Sequence, residues 1–247
     1  PTQPDSRVPF FFGEPDRQLY GFYHAPQGQA QDMSPVLICS PLGVEYDQSH
    51  HFVHQLANLL ARAGCPVMRF NYFGTGNSRG EPGEVTIAGL LADTCVAAGE
   101  VRARTGSAEL VVVGIRSGAT LAAGLVAAGE MCVPCRLVLW DGFLEGSGQK
   151  RGLGRHPDWT RGCGFSRSFV AEILRRAKDT DCALGNSEST LILQTHAQVD
   201  CLPLQSEPAN KQAFIEFKEF PEVSFSSQSQ AVPYKVRNYI VQWITAK

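Results

Sequence analysis

Short apolar runs alternate with longer amphipathic stretches along most of the chain. Residues 10–12 and 19–23 flank a Gly-Glu-Pro-Asp turn and predict an antiparallel hairpin. Later apolar runs predict six further strands, at residues 36–40, 67–71, 110–114, 137–140, 190–194 and 214–217. Apolar residues at helical spacing predict helices at residues 51–63, 84–105, 117–129 and 234–245.

This order of elements predicts the fold class. A hairpin followed by repeated strand–helix units is typical of an α/β domain with a mainly parallel, eight-stranded sheet and helices on both faces. We expect residues 1–247 to form one such domain. Residues 142–189 interrupt the alternation after the sixth strand, and we expect them to form a small lid inserted within the domain.

Composition excludes several classes of protein. The chain carries 22 Lys and Arg against 24 Asp and Glu, a formal charge of -2, which excludes a strongly basic nucleic-acid binder. The longest nearly apolar run, residues 120–128, is too short to span a bilayer. Among the eight cysteines, Cys132 and Cys135 form a single CxxC, which is insufficient to predict a metal site. We expect reduced thiols and a cytoplasmic protein.

Three segments that follow predicted strands carry small residues at fixed positions: ICSPLG at 38–43, RFNYFGTGNS at 69–78 and VVVGIRSGA at 111–119. Their order and spacing resemble the oxyanion loop, the G-x-G-x-S turn and the nucleophile elbow of the α/β-hydrolase superfamily. The Gly-Ile-Arg-Ser-Gly form of the elbow is similar to that of hydrolase-like proteins associated with exosortase and exopolysaccharide loci. The resemblance implies an α/β-hydrolase fold with a pocket beneath the lid.

The Gly74-Thr75-Gly76 stretch does not predict a nucleotide site. It lacks the third glycine of a dinucleotide fingerprint and the lysine of a P-loop. We therefore expect no cofactor.

The elbow predicts an arginine where the family has its nucleophile. Residues two positions before and after the tip must be small, because the backbone passes too close to leave room for side chains. Gly114 and Gly118 bracket Arg116 in this way. With Ser117 at the tip, the bulky Ile115 would take a position that needs a small residue.

Arg116 cannot act as the nucleophile because its guanidinium stays protonated. It can bind an anion together with the backbone amides at the start of the Ser117 helix. Alternatively, it forms an internal ion pair with Asp141, Asp93 or Glu45. The sequence leaves both possibilities open.

The other triad positions are only partly filled. The family's base is a histidine after the last strand, but no histidine follows His196. Asp200 lies where the resemblance places the acid. Ser117, His196 and Asp200 could form a makeshift triad, and His50 and His51 either line the pocket or lie on the surface at the start of a helix.

The predicted lid is strongly basic. Residues 150–178 contain eight Lys and Arg and only two acids, Asp158 and Glu172. Such an excess would attract an anionic ligand, although a solvated basic face would have the same composition.

The sequence therefore favours a hydrolase-fold protein with a degraded triad that binds a small anionic or carbonyl ligand. A partner protein of the same pathway is a further candidate for binding. One alternative is an active hydrolase of esters, thioesters or amides that uses Ser117 or another unorthodox nucleophile. A second is a non-hydrolytic enzyme in which Arg116 stabilises a developing negative charge. The candidate ligand-binding residues are Ser40, Leu42, Gly43, Arg116, Ser117 and Asp141.

Overall fold

The computed structural model describes residues 7–27, 33–127, 135–141, 187–194, 214–220 and 234–246. Within these ranges the strands are β1 (Arg7–Phe12), β2 (Leu19–His24), β3 (Val36–Cys39), β4 (Val67–Asn71), β5 (Leu110–Ile115), β6 (Cys135–Trp140), β7 (Ser189–Gln194) and β8 (Phe214–Glu219). The helices are α1 (Val44–Arg62), α2 (Ile87–Thr105), α3 (Ser117–Ala127) and α4 (Tyr234–Thr245).

All eight strands belong to one sheet, in the order β1-β2-β4-β3-β5-β6-β7-β8. The hairpin strands β1 and β2 are antiparallel, and β2 also pairs antiparallel with β4. Every later pair is parallel. The predicted mainly parallel sheet with an N-terminal antiparallel hairpin is therefore confirmed.

The sheet separates two apolar cores. Strands β3 and β5 are buried on both faces, which explains their continuous apolar sequences. One core packs alternate strand residues against α2 and α3, and includes Leu37, Leu90 and Leu121. The other packs the opposite strand residues against α1 and α4, where the Phe52 and Trp140 rings lie 4.5 Å apart.

Helix α1 begins at Val44, earlier than the predicted start at residue 51. The apolar pattern could not reveal this first part because two buried positions there, Glu45 and Ser49, are polar. Gly43, with φ of 66°, precedes the helix, and acids in the first turn favour the positive end of its dipole. His50 and His51 therefore lie inside α1 and are exposed, so the expected surface position is confirmed and the expected start of a helix is wrong.

The single-domain division and the lid remain predictions, because residues 142–186 lie outside the described ranges. Ser189, the last residue assigned to the lid, already begins β7. Cys132 also lies outside the described ranges, whereas Cys135 is a buried thiol at the start of β6.

Candidate functional site

The turn between β5 and α3 has Arg116 at its tip. Arg116 adopts φ of 55°, a left-handed conformation that is unusual for a residue with a side chain. Its amide donates to the carbonyl oxygen of Trp140 at 2.8 Å, and its carbonyl oxygen accepts from the Ala119 amide at 3.0 Å. The turn is thus tied to β6 on one side and to the first turn of α3 on the other.

The two glycines around Arg116 are required by close backbone contacts. A Cβ at Gly114 would lie 2.4 Å from the Ala119 Cα. A Cβ at Gly118 would lie 2.2 Å from the carbonyl oxygen of Cys39, at the end of β3. Both distances are far inside van der Waals contact, so any other residue would force the strand and the helix apart.

The Arg116 side chain forms an ion pair with Glu45 in the first turn of α1. Its Nε and Nη2 donate to the same carboxylate oxygen, Oε1, at 3.0 and 2.7 Å. The Arg116 side chain is 16% exposed and that of Glu45 is 7% exposed. Burial opposes the charge, but the nearby Glu45 and Asp141 carboxylates outweigh it and raise the pKa of Arg116. The cation is therefore permanent.

Of the three acids proposed as partners, Glu45 makes this direct contact. The charge of Asp141 also acts on Arg116 and raises its pKa. Asp93 lies elsewhere: it accepts from the Arg17 Nε at 2.8 Å and from the Phe73 amide at 2.9 Å. An ion pair with Asp93 is therefore wrong.

Ser117 is fully buried, and its hydroxyl oxygen accepts a hydrogen bond from the Leu42 amide at 2.9 Å. Leu42 belongs to the loop between β3 and α1, so this bond links that loop to the start of α3. The sequence placed both residues at the site but gave no sign that they bond to each other. A buried hydroxyl close to an otherwise unpaired amide is the physical reason for the contact.

The remaining candidate residues lie along the same carboxyl edge of the sheet. Ser40 is buried just after β3, and Gly43 directly precedes α1. Asp141 follows β6 with φ of 47°, and its amide donates to the Leu193 carbonyl oxygen at 2.9 Å. His196 and Asp200 lie outside the described residues, so the makeshift triad with Ser117 stays a prediction.

The architecture matches that of solved hydrolases over nearly the whole chain. A ferulic acid complex of Est1E from Butyrivibrio proteoclasticus covers 96% of this chain and 96% of its own, with a TM-score of 0.66 at 11% identity. An α/β serine hydrolase without a lid from Xanthomonas campestris covers 99% and 95%, with a TM-score of 0.58 at 18% identity. Monoglyceride lipase from Saccharomyces cerevisiae covers 99% and 96%, with a TM-score of 0.66 at 11% identity.

The protein has the α/β-hydrolase fold. At these low identities the likeness concerns the fold and not the reaction. No protein-family model matches the sequence, and no curated protein matches it either. Among the described helices of this hydrolase fold, none combines the length and the apolarity that crossing a membrane requires.

The glycine-rich turn after β4 has a structural role. The Gly74 amide donates to the Arg79 carbonyl oxygen at 2.8 Å. The Ser78 hydroxyl donates to the Asn71 carbonyl oxygen at 2.7 Å and accepts from the Tyr20 amide at 2.9 Å. The turn therefore fastens β4 to β2.

Sequence reasoning missed a small cleft between α1 and the edge of strands β2, β3 and β4. Ser40, Tyr46, His50, Arg69 and Asn71 are among its lining residues. The cleft has room for about one water-sized molecule. A signal was present in β4, where Arg69 interrupts a strand whose five residues are all buried.

Among the described cysteines, Cys39, Cys65 and Cys135 are buried and Cys95 is half-buried. Burial raises the pKa of Cys39 and of Cys135 to about 12, so neither is a thiolate at neutral pH. Within the described ranges, no three His, Cys, Asp or Glu side chains come together as a metal site would require.

Proposed function

We propose that this protein binds a small carbonyl or anionic ligand and does not hydrolyse it through a serine triad. The observation that carries the proposal is the ion pair between Arg116 and Glu45 at the turn between β5 and α3. In the α/β-hydrolase fold this strand-to-helix turn is the nucleophile elbow. Here its tip is a cation, held by a buried carboxylate, that cannot attack a carbonyl carbon.

The bond between Ser117 and Leu42 supports the same conclusion. Hydrolases of this fold build an oxyanion hole from the amide after the nucleophile and an amide from the loop after β3. In this protein the Leu42 amide of that loop already donates to the Ser117 hydroxyl. A substrate oxyanion would have to displace this bond. Ser117 is also fully buried, which argues against its use as an alternative nucleophile.

The charges around Arg116 favour a carbonyl group over a full anion at this point. Both Glu45 and Asp141 act on the guanidinium, so one positive charge faces two carboxylates. A neutral carbonyl oxygen can accept a hydrogen bond from the guanidinium without meeting this repulsion. An anionic ligand is supported instead by the excess of Lys and Arg among residues 150–178 of the predicted lid.

The proposed subgroup of hydrolase-like proteins rests on one motif. The Gly-Ile-Arg-Ser-Gly sequence of residues 114–118 resembles the Gly-Leu-Arg-x-Gly elbow of the exosortase-associated proteins. We propose that subgroup on this motif alone, together with action beside a partner protein of the same pathway.

A fluorophosphonate probe tests the loss of triad chemistry. We expect no labelling of the wild-type protein and no turnover of p-nitrophenyl esters, since no described group activates a serine hydroxyl. Wild-type labelling that disappears in Ser117→Ala would establish the active-hydrolase alternative and overturn the proposal. Any serine esterase of the same fold serves as the positive control.

Thermal shifts with aldehydes, ketones and carboxylates test the binding half of the proposal. A ligand at about 100 times its Kd stabilises the folded state by about 2.7 kcal/mol. We expect this shift to be lost in Arg116→Met. If a ligand is instead turned over without probe labelling, and Arg116→Met abolishes the turnover, Arg116 stabilises charge in a non-hydrolytic reaction and the binding-protein proposal is wrong.

A further inference from the structure

Arg69 is a buried cation with no carboxylate partner in the described part of the chain. The residue is 8% exposed and lies near the carboxyl end of β4, on the face that packs against α1. Its contacts there are a hydrogen bond from Nε to the His24 Nε2 at 3.2 Å and stacking of the guanidinium 4.1 Å over the Phe22 ring. Neither partner carries a negative charge.

His24 cannot supply the missing charge. Its Nε2 accepts the hydrogen bond from the Arg69 Nε, and its Nδ1 lies 3.2 Å from the Asn58 Oδ1, so His24 is neutral with its proton on Nδ1. Burying a guanidinium without a counter-charge is costly, and proteins normally offset that cost with a carboxylate or a bound anion. Arg116, by contrast, has its carboxylate in Glu45.

Arg69 opens onto the cleft between α1 and the sheet edge, and no residue that lines this cleft is acidic. Several of the lining groups can donate hydrogen bonds. The Tyr46 hydroxyl accepts from the Asn71 Nδ2 at 2.7 Å, so its own proton can point toward a ligand. The buried Ser40 lies on the same wall, with His50 at the rim. The described cleft is therefore a set of donors around one positive charge.

An aromatic row leads from this cleft to the surface. Phe22 lies beneath Arg69, Tyr20 packs 5.1 Å from Phe22, and Phe11 packs 5.1 Å from Tyr20. Phe11 is 55% exposed. The row is continuous because Phe11 and Tyr20 are directly opposite each other in the β1–β2 register. It offers an apolar platform beside the cation.

We propose that the cleft at Arg69 binds the carboxylate of a small organic acid, whose apolar part lies on Tyr20 and Phe11. The cleft admits about one water-sized group, which suits a carboxylate oxygen and excludes a bulkier anion from full entry. The site is centred on Arg69 of β4, whereas Arg116 follows β5, and β3 with Ser40 at its end lies between them. It does not depend on whether the protein hydrolyses esters.

Titration of the full chain with 4-fluorobenzoate, followed by ¹⁹F NMR, tests the proposal without relying on stability. Loss of a charge-assisted hydrogen bond should weaken binding at least about tenfold in Arg69→Met. The same substitution at the surface, Arg104→Met, is the matched control and should leave the Kd unchanged. Arg116→Met that circular dichroism shows to be folded should also leave the Kd unchanged, which distinguishes this site from the one proposed at the turn.

Three results would overturn the assignment: an unchanged Kd in folded Arg69→Met, binding lost only in Arg116→Met, or no binding at about 10 mM 4-fluorobenzoate. Tighter binding of phenyl phosphate than of 4-fluorobenzoate would reject the carboxylate. If Arg69→Met does not fold, Tyr46→Phe replaces it. That variant should bind several-fold more weakly than Tyr23→Phe, the same change on the opposite face of the sheet, and equal affinities would contradict the site.

Discussion

The ion pair between Arg116 and Glu45, at the turn between β5 and α3, predicts how much free energy of unfolding is lost when either residue is replaced. In Glu45→Gln an amide oxygen replaces the carboxylate oxygen that accepts from the Arg116 Nε and Nη2, so the cation loses the negative charge of Glu45. Removing one partner of a buried pair costs about 3–5 kcal/mol, because the other charge stays buried. We expect a loss near 3 kcal/mol for Glu45→Gln, since Asp141 still acts on the guanidinium.

Arg116→Met should be the more damaging of the two substitutions. It leaves Glu45 and Asp141 as buried carboxylates without the cation that lies between their charges, so we expect a loss near 5 kcal/mol. Met has a similarly long, unbranched side chain and the same energetic cost in the left-handed backbone conformation. The difference in stability between wild type and Arg116→Met therefore reflects mainly the lost charge. The double variant should be more stable than the sum of the single losses implies, with a coupling energy of about 2 kcal/mol.

Urea unfolding at pH 7, followed by tryptophan fluorescence and circular dichroism, measures all four proteins of this cycle. The exposed pair Arg104 and Glu100, at 2.7 Å, serves as the control. Its coupling should stay below about 1 kcal/mol, because the side chains are 35% and 27% exposed. Additive losses at Arg116 and Glu45, or a coupling no larger than that of the control, would refute the reasoning.

Four further predictions concern single residues of the fold. Burial and the charge of Arg69 lower the pKa of His24 from 6.5 to about 4. Between these pH values the imidazole binds a proton in the unfolded chain but not in the folded chain. The free energy of unfolding, measured by urea titration, should therefore fall as the pH drops through this range, by at most about 3 kcal/mol. His24→Gln should show a flatter pH dependence. Gly118→Ala should prevent folding or cost several kcal/mol, on the order of an overpacked core, because its Cβ would meet the β3 backbone at 2.2 Å. Gly99→Ala in α2, where a Cβ meets nothing within 4 Å, should raise thermal stability by about 0.5–1 kcal/mol. The Cys39 thiol should be alkylated by iodoacetamide, in residue-resolved mass spectrometry, only after unfolding, and reaction in the native state would contradict its buried position at the end of β3.

The strands were the part of the fold that the sequence predicted best. β4 and α4 begin and end where the apolar pattern placed them. β1 begins three residues earlier than predicted, β3 ends one residue earlier, and each of the other strands is one or two residues longer. Such runs are easy to interpret because a parallel strand is apolar on both faces. The start of α1 was missed because its first turns bury Glu45 and Ser49, and a pattern of apolar residues cannot register buried polar groups.

The sequence predicted the backbone of the turn between β5 and α3, but it left open what the Arg116 side chain contacts. Gly114 and Gly118 are visible in the sequence, and their close contacts follow from the tight turn. The sequence left Glu45 as one of three possible partners of Arg116, because Glu45 lies 71 positions away and is brought close only by the packing of α1. The Arg69 cleft forms where β2 pairs with β4 and α1 packs beside them. These three elements are separate in the sequence, so no single segment of it predicts the cleft.

The sheet divides the interior into two cores, and the elements that form each core are translated at different times. The core beneath α2 and α3 draws on elements that are mostly translated early. The core beneath α1 includes Val236, Ile240 and Ile244 of α4, so it stays uncovered on a ribosome until the last described helix emerges. A nascent chain stopped before Tyr234 should expose Leu56 and Leu60 and bind a hydrophobic dye strongly, whereas dye binding equal to that of the full chain would mean that α1 is covered without α4.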